Sequence, residues 1–263
     1  MSSIQAATVI LLRETAAGLE TLMVRRGNNL AFAGGALVFP GGRVDAADIT
    51  TARDPALAFG FAGLDDTDAA ARIAACREAL EETGVLLTSG EAPDPVALAN
   101  ARAALSAGPD TAEASSFAAM LAALGHRVDA ARFVPFARWE PPAAAAIKRR
   151  FDTHFYLADA GNTASAAISP DGNEAVAIQW TTAAAVLTAE VLGQAALVFP
   201  TKCNLHRIGQ YADIASIMAA AAARTPPFIQ PEIIDRGGAK WLVIPNDCDY
   251  PVTEERLGDV RRE

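Results

Sequence analysis

The segment Asp65–Gly84, DDTDAAARIAACREALEETG, constrains the fold most strongly, because it is the clearest helix in the sequence. Asp65 and the acids that follow it suit a helix N-terminus, where they cap free backbone N–H groups and oppose the helix dipole. Gly84 suits the position just after a helix, which often has a left-handed backbone. The segment therefore predicts a helix of about five turns.

Strand signals surround this helix. The apolar runs Ala7–Glu14 and Leu19–Arg26 are separated by a short stretch and predict a hairpin or two neighbouring strands. Later segments with strand character are Ala131–Pro142, Arg150–Asp159, Asn173–Thr182, Phe228–Ile234 and Lys240–Ile244. Later segments with helix character are Pro95–Ala107, Thr111–Leu124, Ala183–Gly193 and Pro200–Ala223. The order does not alternate regularly, so the sequence predicts a mixed α/β fold, with a mixed β-sheet between helical layers.

Composition excludes several classes of protein. Apolar residues make up 51% of the chain, which supports a sizeable core and argues against disorder. The formal net charge of −9 makes a poor generic binder of nucleic acids or membrane surfaces. No apolar run reaches the roughly 18 residues that a membrane span requires. We therefore expect neither a nucleic acid nor a membrane as a partner.

The cysteine pattern and the N-terminal segment indicate the compartment. Cys76, Cys203 and Cys248 lie far apart, and no C-x-x-C pair occurs. This pattern favours neither a disulfide framework nor a zinc site. The first residues have a short apolar run without a basic region before it, which is typical of a strand rather than a signal peptide. We expect a cytoplasmic location.

Three glutamates share one face near the end of the predicted helix. Glu78, Glu81 and Glu82 have the i, i+3, i+4 spacing that makes helical side chains neighbours. Their mutual repulsion is small in water and much larger if they are partly buried. Arg77 can offset Glu81, but one arginine cannot neutralise three carboxylates. A divalent cation can, and carboxylate oxygens suit Mg²⁺ or Mn²⁺. On the helix alone, a solvated acidic face is the simpler alternative.

The loop FPGGRVDAAD, Phe39–Asp48, offers this helix a partner. Its glycines, Gly41 and Gly42, are expected to form a turn with an unhindered backbone. Together with REALEETGV, the loop resembles the Nudix hydrolase motif, which is G-x-x-x-x-x-E, seven residues, then R-E-U-x-E-E-x-G-U, with U aliphatic. The second half agrees at every fixed residue, with Ala79 at the first aliphatic position. In the first half, Asp48 replaces glutamate, and twenty-eight residues separate the halves.

The resemblance extends to a Nudix subgroup that includes the mammalian peroxisomal coenzyme A diphosphatase. The segments RRFDTHFYLA, Arg149–Ala158, and VFPTKCNLHRI, Val198–Ile208, are similar to that subgroup. The resemblance implies a single Nudix domain over residues 1–263, with insertions at about 49–67 and 88–130. It implies a Nudix-type α/β/α sandwich with a mixed sheet and helical insertions.

The resemblance also implies roles for individual residues. The metal ligands would be Glu78, Glu81, Glu82 and the carbonyl oxygen of Gly41. The catalytic residues would be Glu82, Glu81, Arg77 and Glu174, where Arg77 orients a glutamate and an acid such as Glu82 accepts a proton. Glu174 could equally be a solvated acid at a strand edge. Asp48 would brace the loop. Candidate substrate-binding residues are Arg25, Arg26, Phe32 and Gly42, although a further arginine of the CoA-associated pattern is absent before the glycine.

The implied activity is metal-dependent hydrolysis of a diphosphate linkage in a nucleoside diphosphate joined to another group. CoA or acyl-CoA is the leading substrate and would give 3′,5′-ADP and a 4′-phosphopantetheine product. ADP-ribose, NADH or another dinucleotide is the alternative. A non-catalytic, Nudix-fold nucleotide-binding or regulatory protein is an alternative of another class, and the three intact glutamates argue against it. The expected partner is a small nucleotide-type substrate, and a homodimer is compatible with the sequence.

Overall fold

The structure is a computed structural model, and it describes residues 3–28, 33–106, 116–145, 147, 149–161, 168–172 and 174–258. The strands are β1 Ile4–Thr15, β2 Gly18–Arg26, β3 Leu37–Val38, β4 Gly41–Arg43, β5 Ala58–Phe59, β6 Val128–Asp129, β7 Val134–Trp139, β8 Phe151–Asp159, β9 Ala175–Thr182, β10 Phe228–Ile229, β11 Glu232–Arg236, β12 Ala239–Val243 and β13 Glu254–Arg256. The helices are α1 Ala46–Arg53, α2 Asp66–Thr83, α3 Pro95–Ser106, α4 Phe117–Leu124, α5 Ala183–Val191, α6 Phe199–Ile208 and α7 Ile214–Ala222.

A mixed sheet of eight strands forms the centre of the fold. Its main path runs β10-β7-β8-β1-β2-β3, while β4 pairs with β1 and β9 pairs with β2. β1 lies parallel to β8, and β10 lies parallel to β7, whereas the other pairs in this sheet are antiparallel. β1 and β2 form the predicted hairpin. The remaining strands make a three-stranded sheet, β11-β12-β13, and the pair β5-β6.

Alternation along β1 explains why helices cover both faces of this sheet. Successive side chains of a strand point to opposite faces. Val9 and Leu11 belong to the core that contains the buried face of α2, whereas Ile10 and Leu12 belong to the core that contains α5, α6 and α7. All four are fully buried. This arrangement confirms the predicted α/β/α sandwich with a mixed sheet.

Two elements that the sequence predicted as continuous are each divided in the structure, so these predictions were wrong. The helix expected over Pro200–Ala223 is two helices, because α6 stops before Gly209 and Asp213 caps α7 by accepting a hydrogen bond from the Ser216 N–H at 2.7 Å. The strand expected over Phe228–Ile234 is also divided. Pro231 lies between β10 and β11, which join different sheets, and proline has no N–H for a ladder.

The segments between the motif halves and after α2 lie against each other. β5, from the segment before α2, pairs in parallel with β6, from the segment after it, with Ala58 opposite Val128. The helix expected at Thr111–Leu124 is described as α4 from Phe117 onward, and its residues 111–115 lie outside the described residues. In the described part of the chain, no helix has the length and apolar character to cross a bilayer.

Candidate active site

The helix that presents the glutamates begins and ends where the sequence predicts. Asp65 accepts a hydrogen bond from the Asp68 N–H, and Gly84 takes the left-handed conformation at φ +80°. Most side chains between these ends are buried, including Ile73 and Leu80, so α2 is fixed against the sheet. This packing places the last two turns of α2 beside β4.

The glycines Gly41 and Gly42 lie in β4 rather than in the turn that their sequence suggested. Their backbone pairs with β1, and a side chain at either position would collide with a neighbour. An ideal Cβ on Gly41 would lie 2.5 Å from the carbonyl oxygen of Ala7, and one on Gly42 would lie 2.5 Å from Cδ of Glu78. Gly41 therefore permits the close approach of β4 to β1, and Gly42 permits the close approach of β4 to the Glu78 carboxylate.

The backbone of β4 also contacts the last glutamate. The N–H of Gly41 donates to Oε2 of Glu82 at 3.1 Å. Glu82 is only 4% exposed. β4 precedes the twenty-eight residues that separate the motif halves, and the glutamates of α2 follow them. These two parts therefore meet, although Gly41 and Glu82 are 41 positions apart.

Arg77 cross-links the acids around the helix. Its Nη1 donates to Glu78 at 2.7 Å and to Glu81 at 3.4 Å. Its Nε and Nη2 donate to the two carboxylate oxygens of Asp48 at 3.3 and 3.1 Å, and Nη2 also reaches the Arg43 carbonyl oxygen at 2.8 Å. The planar guanidinium group thereby connects the helix to β4 and to α1.

Asp48 lies in the first turn of α1, where it takes part in a capping box with Asp45. The Asp45 N–H donates to Oδ2 of Asp48 at 2.8 Å. Asp48 is 2% exposed, so both of its carboxylate oxygens are satisfied within the protein. Aspartate replaces the motif's glutamate and still reaches Arg77, because α1 carries it close to α2.

Burial and crowding raise the pKa values of the glutamates. Burial, and then the charge of Glu81, raise the pKa of Glu78 to about 7, against the opposing effect of Arg77. Burial, and then the charge of Glu78, raise the pKa of Glu82 to about 8. The pKa of Glu81 is also raised by burial. The three carboxylates thus lie close together where solvation is poor. A bound cation would stabilise their charged forms.

The donor set fits a hard divalent cation by chemistry, because it consists of carboxylate oxygens. Among the residues that the structure describes, however, no three acidic, histidine or cysteine side chains have already converged into a metal-binding cluster. Arg77 holds Glu78 and Glu81, while Gly41 holds Glu82.

Two further predicted residues lie beside the glutamates. The charge of Glu174 is among the causes that raise the pKa values of Glu78 and Glu82, and its carboxylate lies 3.8 Å from Nη2 of Arg26. The charge of Arg26 lowers the pKa of Glu82. The Nε of Arg26 is buried and has no hydrogen-bond partner among the described residues. Arg26 therefore brings a donor into the acidic cluster that the described chain does not use.

Other predicted residues lie elsewhere. Arg25 of β2 donates to the carbonyl oxygen of Gly35, just before β3, at 3.3 Å. Phe32 lies outside the described residues. Of the predicted substrate-binding residues, Arg26 and Gly42 lie beside the glutamates.

Sequence reasoning omitted one contact with this helix. Arg102 of α3 donates from Nε and Nη2 to the carbonyl oxygen of Glu81, at 3.1 and 2.9 Å. The sequence feature that could have indicated this contact is the absence of a basic residue from the last turn of α2. A helix that ends in acids benefits from a cation at its C-terminus, and this cation comes from a different helix.

Comparison with known proteins finds a family model that matches more than half of the chain. The family model for the NUDT19 Nudix domain matches residues 62–208, which are 147 of the 263 residues. The chain is similar to the NUDIX hydrolase from Alicyclobacillus acidocaldarius, whose crystal structure aligns with a TM-score of 0.68 and 29% identity, over 83% of this chain and 96% of that one.

Two further solved structures have lower similarity to this chain. A MutT NUDIX hydrolase from Burkholderia pseudomallei has 16% identity and a TM-score of 0.40, over 78% of this chain and 97% of that chain. The NUDIX domain of Shewanella oneidensis NrtR, complexed with ADP ribose, has 14% identity and a TM-score of 0.40, over 76% of this chain and 82% of that one. The residues matched by the family model include α2 with its three glutamates, and Glu174.

Proposed function

This chain belongs to the Nudix hydrolase family, and from that premise we propose that it hydrolyses the diphosphate linkage of CoA or an acyl-CoA. Nudix hydrolases cleave pyrophosphate linkages in nucleoside diphosphate derivatives and generally use divalent metal ions. The observation that carries the proposal is the cluster beside β4 of one buried glutamate, Glu82, and two partly buried ones, Glu78 and Glu81. The resemblance to the CoA diphosphatase subgroup supports CoA over other substrates.

The cation would be Mg²⁺ or Mn²⁺, held by Glu78, Glu81 and Glu82 and by the carbonyl oxygen of Gly41. When bound, such a cation neutralises charge on the diphosphate and lowers the pKa of water. Arg77 keeps Glu78 and Glu81 oriented through the bonds described above. Burial of the cluster strengthens each of these electrostatic interactions.

The reaction adds water across the P–O–P linkage. Oxygen of water bonds to one phosphorus, the anhydride P–O bond breaks, and the second phosphate leaves as an anion. Glu82 or Glu174 accepts the proton that water loses. Glu174 has the more exposed carboxylate of the two, with a side chain 60% exposed, whereas Glu82 is 4% exposed. Cleavage of CoA in this way gives 3′,5′-ADP and 4′-phosphopantetheine.

Arg26 is the candidate contact for a substrate phosphate. Its buried Nε has no partner among the described residues, and its charge already acts on Glu82. Arginine suits the recognition of phosphate oxygens. Gly42 lies beside the Glu78 carboxylate, and Arg25 of β2 and Phe32 remain predicted substrate contacts.

A substrate panel tests the proposal. Purified protein with Mg²⁺ or Mn²⁺ is incubated with CoA, acyl-CoAs, ADP-ribose, NADH and diadenosine polyphosphates, and the products are separated by chromatography. Release of 3′,5′-ADP, at the highest kcat/KM of the panel, is the expected result. Preferential cleavage of ADP-ribose or NADH would assign the dinucleotide alternative. Tight binding without cleavage of any member would assign a non-catalytic Nudix-fold binding protein.

Three further predictions belong with this proposal. A single Nudix domain over residues 1–263 predicts one cooperative unfolding transition. A homodimer is tested by light scattering after size-exclusion chromatography. A cytoplasmic location is tested by fractionation of cells that express the tagged chain.

A further inference from the structure

We propose that Arg102 is a positioning residue for the carboxylates of α2, a role that rests on the function proposed above. Arg102 lies on α3, which follows α2 in the chain and belongs to neither half of the motif. Among the residues that the structure describes, its guanidinium group donates four hydrogen bonds to two residues. Two reach the Glu81 carbonyl oxygen, and two reach Ser169, at 2.7 Å from Nη1 to Oγ and 2.8 Å from Nη2 to the carbonyl oxygen.

Negative charge accumulates at the C-terminal end of α2, and Arg102 offsets it. The last four carbonyl groups of a helix lack partners within the helix, and the C-terminus carries partial negative charge. Glu78, Glu81 and Glu82 add three carboxylates to this same end, and no basic residue lies in the last turn. A cation bonded to the Glu81 carbonyl oxygen opposes both effects. Arg102 therefore stabilises the last turn in the arrangement that presents Glu81 and Glu82.

The same guanidinium group connects the helix to the segment that carries Glu174. Ser169 is bonded to Arg102, and its N–H donates to the carbonyl oxygen of Thr83 at 3.2 Å. Asp171, whose charge acts on Arg102, accepts hydrogen bonds from the N–H groups of Glu174 at 3.4 Å and Ala175 at 2.8 Å. One side chain of α3 thus fixes the end of α2 relative to the entry into β9.

Arginine is specifically suited to this position. The planar fork places Nε and Nη2 on one carbonyl oxygen while Nη1 reaches a second residue. A lysine ammonium would supply the charge but not the paired geometry. Groups that orient ligands from outside the coordination sphere typically change metal affinity or activity about 10- to 100-fold when removed.

The test compares Arg102→Ala with Arg53→Ala in the full chain. Arg53 is a matched control because it makes four hydrogen bonds near the opposite end of the same helix, two to Asp66 and one each to the carbonyl oxygens of Phe61 and Leu64. Binding of Mn²⁺ without substrate is measured by electron paramagnetic resonance of the free ion. Thermal unfolding, and kcat and KM on the best substrate of the panel, are measured alongside.

We expect Arg102→Ala to weaken Mn²⁺ binding about 10-fold and to lower kcat about 10- to 100-fold, with KM changed much less. Arg102→Lys should recover part of the loss. Arg53→Ala should lower the Tm while leaving Mn²⁺ affinity and kcat near the wild-type values. If Arg102→Ala fails to fold, Ser169→Ala, which removes one of the four bonds, should give a smaller loss in the same two quantities.

The outcomes separate the two proposals. A wild-type protein that neither binds Mn²⁺ nor cleaves any panel member overturns the proposed function, and the role of Arg102 falls with it. An active wild type, with Arg102→Ala and Arg53→Ala alike in Mn²⁺ affinity and kcat, overturns the role of Arg102 alone. Where only Ser169→Ala folds, wild-type Mn²⁺ affinity and kcat in that variant overturn it.

Discussion

Gly42 and Glu78 are in direct contact, so that an ideal Cβ on Gly42 would lie less than 3 Å from all three atoms of the Glu78 carboxyl group. A side chain at this position of β4 would therefore displace the Glu78 carboxylate of α2. Arg77 donates to Oε1 of the same carboxylate at 2.7 Å. The Glu78 carboxylate thus contacts both the backbone of β4 and a guanidinium group.

Replacing Gly42 with alanine should displace the Glu78 carboxylate and lower kcat by at least about 10-fold, with only a modest loss of stability, because the displaced atoms end a flexible side chain. Gly258→Ala is the control, since a Cβ there would meet no atom of the described residues within 4 Å. Steady-state kinetics and thermal unfolding of both variants check this. Wild-type kcat in Gly42→Ala would show that Glu78 tolerates displacement.

The double variant Glu81→Gln/Glu82→Gln should lose hydrolysis and Mn²⁺ binding while remaining folded, because glutamine keeps the shape but removes the charge that binds a cation. Glu78→Gln should reduce both less severely. Glu20→Gln is a matched control, because Glu20 is also poorly exposed and ion-paired, to Arg13 at 2.7 Å. Full activity in the double variant would exclude these residues as metal ligands.

The stability of metal-free protein should fall as the pH rises. Burial first, and crowding of charges second, raise the pKa of Glu78 to about 7 and that of Glu82 to about 8, from 4.5 in the unfolded chain. The folded state therefore binds more protons than the unfolded chain between these values. This contribution is complete below pH 4.5 and is lost as the pH passes the folded pKa values, with a slope of at most about 1.4 kcal/mol per pH unit for each group.

Thermal unfolding of chelator-treated protein across this range measures the effect. Glu82→Gln should flatten the decline, and Mn²⁺ should raise the Tm more at high pH than at low pH, because its ligands must be deprotonated. Equal pH slopes in wild type and Glu82→Gln would contradict the raised pKa of Glu82.

Asp48→Asn should destabilise the protein much more than Asp66→Asn. Asp48 is 2% exposed and pairs with Arg77 at 3.1 Å, whereas the Asp66 side chain is 78% exposed and pairs with Arg53 at 2.7 Å. Losing a partner from a buried pair costs about 3–5 kcal/mol, against about 1 kcal/mol or less at the surface. Urea unfolding provides the comparison. Similar losses in both variants would mean that Arg77 finds another partner.

The sequence predicted those parts of the fold that local signals control. Asp65 and Gly84 mark the ends of α2 because their capping preferences act within a few residues. The spacing of Glu78, Glu81 and Glu82 placed them on one face for the same reason. Pro200–Ala223 was misjudged because its many apolar residues outweighed Gly209 and Asp213, whose preferences decide the break.

Contacts between distant segments were not predictable in this way. Nothing near Arg102 indicates that its side chain reaches Glu81, because that contact depends on how α3 packs. The glycines of β4 were taken for a turn because their close neighbours, Ala7 and Glu78, are remote in the sequence. The resemblance to a known motif joined Phe39–Asp48 to α2 where physical reasoning from either segment could not.

The parallel pairing of β5 with β6 has a consequence for how relatives of this chain can differ. Ala58 and Val128 are 70 positions apart. Among the described strands, β5 pairs only with β6, and β6 pairs only with β5. Deleting one segment would leave an unpaired strand edge, which is a template for association with other chains. We therefore expect evolution to retain or discard the two segments together. During synthesis, the first must wait for the second to leave the ribosome before their pair can close.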